Sequence, residues 1–339
     1  MPVHNFLACR YTSRACIFVV AAALGVVLLG CGKKDEAVKA PDADLPSGQS
    51  VWPMTGLAME SEPNHPVMIV KIPNTPSARL QKGLNEADLI TEELVEGGVT
   101  RLAVVFDSKV PSEVGPVRSM RSSDIGIAKP ASAVVISSGA AAQTISRFKN
   151  EDVKFYDENA PGMHRTSGRR PAHDLMIDLN EFVRKAKLRR GHPTPYLHWG
   201  ESADFGGTEK ATKIQVQMSS YRTSGFEFRR GKYINTNSYA DVRESFRADS
   251  VLVLRVQIRD AGYRDVVGTP VPETIYKGTG DMSLFHNGEV VTGKWSKADL
   301  ESIPQLTDAM GQEVKVPAGR TFVLLVPVKS KGGDLSFLP

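Results

Sequence analysis

The sequence predicts an α/β or α+β N-terminal domain built on a mixed sheet, followed by a smaller, mostly β C-terminal domain. Three observations carry that expectation. Between residues 51 and 195, apolar β-branched runs alternate with helical stretches, as in a sheet whose strands are interleaved with helices. Gly191-His-Pro-Thr-Pro195 and Gly206-Gly207 then make a loop-rich break over 191–211. Beyond it the periodic segments are strands, and Asn287-Gly288 sits between two apolar runs, the strongest short hairpin signal.

Taken in order, Val67-Met-Ile-Val-Lys-Ile72 reads as a strand closed by Pro73-Asn74-Thr75-Pro76. Asp88–Val95 fits neither period cleanly and is assigned to a strand rather than a short helix. Thr100–Phe106 and Ala133–Ser137 are apolar and β-branched, hence strands. Helices are expected at Ser123–Lys129, Ala141–Asn150 and Leu179–Arg190. In the second half strands are expected at Lys213–Met218, Phe226–Arg229, Ser250–Arg259, Ser283–Phe285, Glu289–Thr292 and Thr321–Val326.

The first 50 residues are of another kind. Arg10 and Arg14 precede an almost wholly apolar run from Ala15 to Gly30, the charged and apolar regions of a signal peptide. That run is short for a span of a bilayer core of about 30 Å. It ends in Leu28-Leu29-Gly30-Cys31, similar to a lipobox, in which the cysteine thiol receives a lipid and becomes the mature N-terminus. The expectation is therefore a signal peptide over 1–30 and an acylated Cys31 anchored in the bilayer, with the rest of the chain on the extracytoplasmic face. Residues 32–50 are polar, rich in Pro, Gly and Ser and free of aromatics. They read as a tether of about 25 Å root-mean-square length, from ~5–6 Å times the square root of the residue number. The folded domains would then occupy 51–195 and 205–339.

Composition excludes several function classes. Cys9 and Cys16 fall in the removed segment, which leaves Cys31 alone. No disulfide, cysteine metal site or cysteine nucleophile remains. Removing Arg10 and Arg14 from the formal +4 leaves +2, and no long basic stretch recommends nucleic acid as a partner. Neither a phosphate-binding glycine loop nor a dinucleotide fingerprint is present, and His164 and His173 lack metal-ligand spacing. No cofactor or metal is expected.

Three stretches could carry chemistry. Glu92-Glu93-Leu94-Val95-Glu96-Gly97-Gly98-Val99-Thr100-Arg101 gathers three carboxylates and an arginine around a turn. Gly115-Pro116-Val117-Arg118-Ser119-Met120-Arg121-Ser122-Ser123-Asp124 places two arginines before an expected helix start, where free N–H groups and the guanidinium fork together suit an anion. Pro171-Ala172-His173-Asp174-Leu175 puts a histidine before an expected helix. Each also has a structural reading: the acids and arginines as ion pairs holding a turn, and His173 as a hydrogen-bonded framework residue. Ser138 follows a strand but lacks the glycines of a nucleophile elbow.

Leu80–Asp88, Glu93–Arg101, Gly115–Arg121 and Pro171–Leu175, followed by Gly278-Thr-Gly280, Phe285-x-x-Gly288, Gly293-x-Trp295, Pro317–Arg320 and Val326-Pro327, resemble in order the YerB-like bacterial lipoproteins. That resemblance implies an N-terminal and a C-terminal domain after a lipid anchor, and implies no activity. The leading expectation is a non-enzymatic binding module of the cell envelope. Arg101, Arg118 and Arg121 would contact an anionic or polar ligand, a cell-wall fragment or a segment of a membrane protein. Glu93 and Glu96 would orient the arginines, with His173 alongside. The rival is a cell-wall hydrolase or transferase using Glu93 or Glu96 as general acid/base; a third reading is a scaffold with no small-molecule site.

Overall fold

The computed structural model describes residues 50–265 and 267–339. The expected signal peptide, Cys31 and the tether up to residue 49 lie outside the described residues. None of the described helices is long and apolar enough to cross a membrane.

In the first half the chain forms β1 (Met68–Asn74), β2 (Leu89–Leu94), β3 (Thr100–Phe106), α1 (Asp124–Ala128), β4 (Val134–Ile136), α2 (Ala142–Asn150), β5 (Phe155–Tyr156), β6 (Met163–Arg165), β7 (Leu175–Ile177) and α3 (Leu179–Ala186). Every residue of β1 and β3 is buried. Both faces of the sheet are covered there, which is why these strands read as continuous apolar runs rather than alternating ones. They pair antiparallel with Met68 opposite Phe106, β3 pairs antiparallel with β2, and β4 runs parallel to β1. Helix α3 ends earlier than expected. Asp178 caps its start by accepting the Glu181 N–H, and Lys187 closes it at a left-handed φ of 49°. Arg189 and Arg190 therefore lie beyond it.

A connection carrying β8 (Trp199–Gly200) and β9 (Glu209–Lys210) leads into β10 (Lys213–Gln217), β11 (Thr223–Arg229), β12 (Lys232–Asn235), β13 (Arg247–Ala248) and the long β14 (Ser250–Arg264). Then come β15 (Pro270–Ile275), β16 (Gly278–His286), β17 (Glu289–Lys297), β18 (Gln305–Asp308), β19 (Val316–Pro317), β20 (Thr321–Pro327) and β21 (Asp334–Leu338). Asn287 and Gly288 join β16 to β17 with φ of 49° and 76°, the left-handed pair that such a hairpin needs. The two strands run several residues past the expected segments because their outer ends pair on through Gly278 and Lys297.

The architecture is a large mixed sheet with few helices and a later, mostly β region. The sheet runs β18-β17-β16-β14-β20-β2-β3-β1-β4-β5. Its middle member, β20, is parallel to both β14 and β2, so strands from before and after the 191–211 connection share one set of hydrogen bonds. A second sheet, β13-β12-β11-β10-β21, covers one face. Phe226, Val253 and Phe322 belong to the core on this face, with Phe226 and Phe322 edge to face at 5.0 Å, and the same core includes Val70, Phe106 and the α3 residues Leu179 and Phe182. On the other face Ile69, Val105, Phe148, Trp199, Leu252 and Trp295 pack under α1, α2 and the connection.

Candidate functional site

Adjacent residues of β2 point to opposite faces, and this separates Glu92 from Glu93. Both carboxylates are fully buried. Glu92 faces the second sheet and accepts hydrogen bonds from Asn74 Nδ2 (2.9 Å), Thr100 Oγ1 (2.6 Å), Ser224 Oγ (2.7 Å) and Arg222 Nε (3.2 Å). That is an enclosed structural network tying the two sheets together.

Glu93 faces α1. Its partner is Lys71 Nζ at 2.9 Å, with Ser123 Oγ donating to the other oxygen. Lys71 also reaches Asp124 Oδ1 at 2.5 Å, and none of these three side chains is exposed. In the ladder Lys71 of β1 faces Ala103 of β3, a small neighbour that leaves room for its stem. Burial opposes the Glu93 charge, but Lys71 and the hydroxyl of Ser123 outweigh it and hold the carboxyl below its usual range. Asp124 takes the opposite course. Burial, then the charge of Glu93, push it up to about 7. One lysine thus serves two carboxylates, and the second holds its proton up to about neutral pH.

Glu96 stands in the turn after β2, where Gly97 and Gly98 take φ of 71° and 72°. It accepts from Arg101 Nη2 and Arg121 Nε, both at 2.9 Å, and again from Arg121 Nη2. Burial works against its charge, but the two guanidiniums keep it ionised below the usual carboxylate range. Arg101 also donates to the Ser119 carbonyl at 2.6 Å, and Arg121 to the Met120 carbonyl at 2.9 Å. Burial, followed by the like charge of Arg121, lowers Arg101 to about 10 despite Glu96.

Arg118 is different. Its backbone N–H donates to the Lys71 carbonyl at 2.8 Å and its carbonyl accepts from Ser138 N at 3.1 Å. Its half-buried side chain has no hydrogen-bond or ion-pair partner among the described residues. It lines an open pocket of about 580 Å³ with Ser119, Ser138, Glu158, Arg165, Pro171, Ala172 and Asp174. The Ser119 and Ser138 hydroxyls are 3.4 Å apart. On another part of the wall Arg165 bridges Glu158 and Asp174, each at 2.8 Å.

Several sequence expectations are corrected here. Glu93 does not orient the arginines, because Lys71 and Ser123 claim it; Glu96 alone does. Arg101 and Arg121 are 6% and 8% exposed and both bound to Glu96, which leaves Arg118 as the guanidinium of the three open to an anion. The expected anion site at the helix start is closed. Asp124 Oδ2 takes the Arg121 N–H at 2.7 Å, and Ser122, Ser123 and Asp124 are all buried. His173 precedes strand β7, not a helix, after Ala172 at a φ of 71°. Its Nδ1 is buried without a hydrogen-bond partner among the described residues. Burial first, then Arg118 and Arg169, hold its pKa below the usual histidine value, so the ring lies within the field of Arg118. The sequence reading missed Lys71, although a lysine inside an otherwise apolar strand is itself a signal, since lysine is almost never fully buried unless paired.

Residues 54–192 match the model for "Protein of unknown function (DUF3048) N-terminal domain", and residues 211–323 match the corresponding C-terminal domain. Over 316 residues the chain is 22% identical to the "Putative lipoprotein YerB" of Bacillus subtilis (strain 168), covering 89% of this chain and 92% of that protein. The crystal structure of YerB protein from Bacillus subtilis superposes with a TM-score of 0.70 at 19% identity, over 85% of this chain and 100% of that one. At that identity the likeness speaks for the fold.

Proposed function

This chain belongs to the DUF3048 family, carrying both its N-terminal and its C-terminal domain, and from that footing we propose that it is a lipid-anchored, extracytoplasmic lipoprotein of the cell envelope that binds an anionic or polar ligand without chemically altering it. The anchor reading rests on the lipobox-like Leu28-Leu29-Gly30-Cys31 and on similarity to a protein named a lipoprotein. The binding reading rests on one observation. Of three arginines grouped by the sequence, Arg118 keeps a guanidinium without a carboxylate partner among the described residues, at the wall of a pocket, while the other two share Glu96.

The rival acid/base role for Glu93 or Glu96 has no such support. A general acid at neutral pH needs a raised pKa and access to substrate; both glutamates are held ionised, and Glu93 is fully enclosed. The candidate ligands are a cell-wall fragment or a segment of a membrane protein.

Two measurements test the proposal. Replacement of Cys31 by Ala should leave the protein unprocessed or shed from cells, because only a thiol at that position can be acylated; a normally processed, membrane-bound variant refutes the anchor. Soluble fragments of digested cell wall should be retained by the purified protein and lost from Arg118→Ala, whereas equal retention by both proteins removes Arg118 from the site.

A further inference from the structure

Four charged side chains line the Arg118 pocket: Arg118 and Arg165, and against them Glu158 and Asp174. Their charges cancel. A neutral lining does not suit a polyanion, since every further negative charge would approach two carboxylates. It suits a ligand with a single negative charge whose neighbouring atoms are hydrogen-bond donors. The guanidinium of Arg118 presents a planar fork to one carboxylate. The Ser119 and Ser138 hydroxyls, 3.4 Å apart, stand on the same lining as further donors. Glu158 and Asp174, each spending one oxygen on Arg165, retain lone pairs that can accept N–H groups.

We propose that this pocket recognises an α-carboxylate together with its neighbouring N–H groups, as presented by a free amino acid or by the C-terminal end of a peptide. The carboxylate sits on Arg118 and the serine hydroxyls, and the amide or ammonium hydrogens turn toward Glu158 and Asp174. The volume of about 580 Å³ falls in the range of small-ligand sites and holds a few residues rather than a folded partner. The proposal deepens the binding reading above and rests on it, since it assigns the ligand class of the same pocket.

The test is calorimetric titration of the purified full chain. The probes are a tripeptide library of mixed D and L residues with free C-termini, the same library amidated, free alanine, and inorganic phosphate. The free library should bind, with affinity at least tenfold weaker after amidation and at least tenfold weaker for Arg118→Ala. The two proteins should share one urea midpoint, which separates lost binding from lost folding. Free alanine binding as tightly as the library assigns the site to amino acids; alanine binding weakly assigns it to peptide ends. In the double variant Glu158→Gln, Asp174→Asn, phosphate binding should rise several-fold while the free library weakens, because the lining becomes positive and its carboxylate acceptors are replaced by weaker amide ones. Equal binding of the free and amidated libraries overturns the carboxylate assignment. Phosphate preferred by the unaltered protein overturns it too, while leaving an anion site at Arg118. Absence of any Arg118-dependent binding from all four probes overturns both the assignment and the anion reading on which it rests.

Discussion

Arg101 and Arg118 lie close enough for each to feel the other's charge, yet they answer to different physics. Arg101 is 6% exposed and bound to Glu96 and the Ser119 carbonyl, so Arg101→Ala removes one of the two guanidiniums on Glu96, leaves that carbonyl without its donor and should cost about 1–3 kcal/mol. Among the described residues Arg118 holds nothing with its side chain, and Arg118→Ala should stay within about 1 kcal/mol. Urea denaturation separates them; similar losses in both variants would mean that Arg118 is structural. The Lys71 cluster makes a prediction about pH. Asp124 has a folded-state pKa of about 7 against an ordinary 3.8. Between those values the unfolded chain ionises while the folded one keeps its proton, so this group lowers stability as pH rises. The depressed Glu93 acts in the opposite sense, but below its ordinary 4.5. Across pH 5–7, then, the unaltered protein should lose stability relative to Asp124→Asn, which cannot ionise; parallel profiles would contradict the raised pKa of Asp124. At this scale the sequence showed which residues cluster but not which bond to which. Glu93 faces Arg101 in the β2–β3 register, and that proximity in the chain suggested a pair. Lys71 comes from β1, on the far side of β3, and only the completed sheet brings it to Glu93.

At the scale of single elements the legible strands were those buried on both faces. Val67–Ile72 and Thr100–Phe106 are apolar apart from Thr100 and the paired Lys71 and Arg101, because every residue in them is buried. Strand β15 went unread because Pro270 and Pro272 open it, and proline argues against a central strand. It pairs with the outer half of β14, with a break in register between Asp260 and Arg264, a place where prolines are tolerated. The glycine motifs of the second half have a packing explanation. A Cβ on Gly280 would sit 2.5 Å from Trp295 Nε1 and closer still to the Arg255 carbonyl. That carbonyl accepts the Trp295 indole N–H at 2.9 Å. Gly280 is therefore the position that lets a fully buried tryptophan lie against β14. Gly280→Ala must push apart backbone and a rigid ring and should cost about 1–3 kcal/mol, with reduced quenching or a shifted emission of the Trp295 fluorescence. An unchanged urea midpoint and spectrum would show that the site yields without strain.

At the scale of the whole molecule, two family models meet at a connection that the composition also marked, yet the sheet does not stop there. Strand β20 pairs with β14 through seven residues, Thr321–Pro327, and with β2 through Thr321–Leu325. Arg320 adds hydrogen bonds to the Ala87 and Leu84 carbonyls at 2.7 and 3.3 Å. The sequence could not disclose this, because the pairing joins segments more than two hundred residues apart and neither strand's pattern names its neighbour. The consequence concerns proteolysis. Within 191–211, Tyr196, Leu197 and Trp199 are buried, whereas Glu201–Asp204 and Thr208–Lys210 are exposed. Cleavage concentrates where backbone is exposed and weakly held, so the first cut inside the folded part should fall at 201–208. The two fragments should then stay together on size exclusion, separate only in urea, and unfold in one transition. Residues 51–195 produced alone should aggregate, since Leu89–Glu93 would present an unpaired edge of wholly buried residues to solvent. Fragments that part under native conditions, or two resolved unfolding transitions, would mean that β20 adds little to the cohesion of the halves. In that case the continuity of the sheet would be geometric rather than energetic, and the two halves would behave as separate folding units joined by an exposed connection.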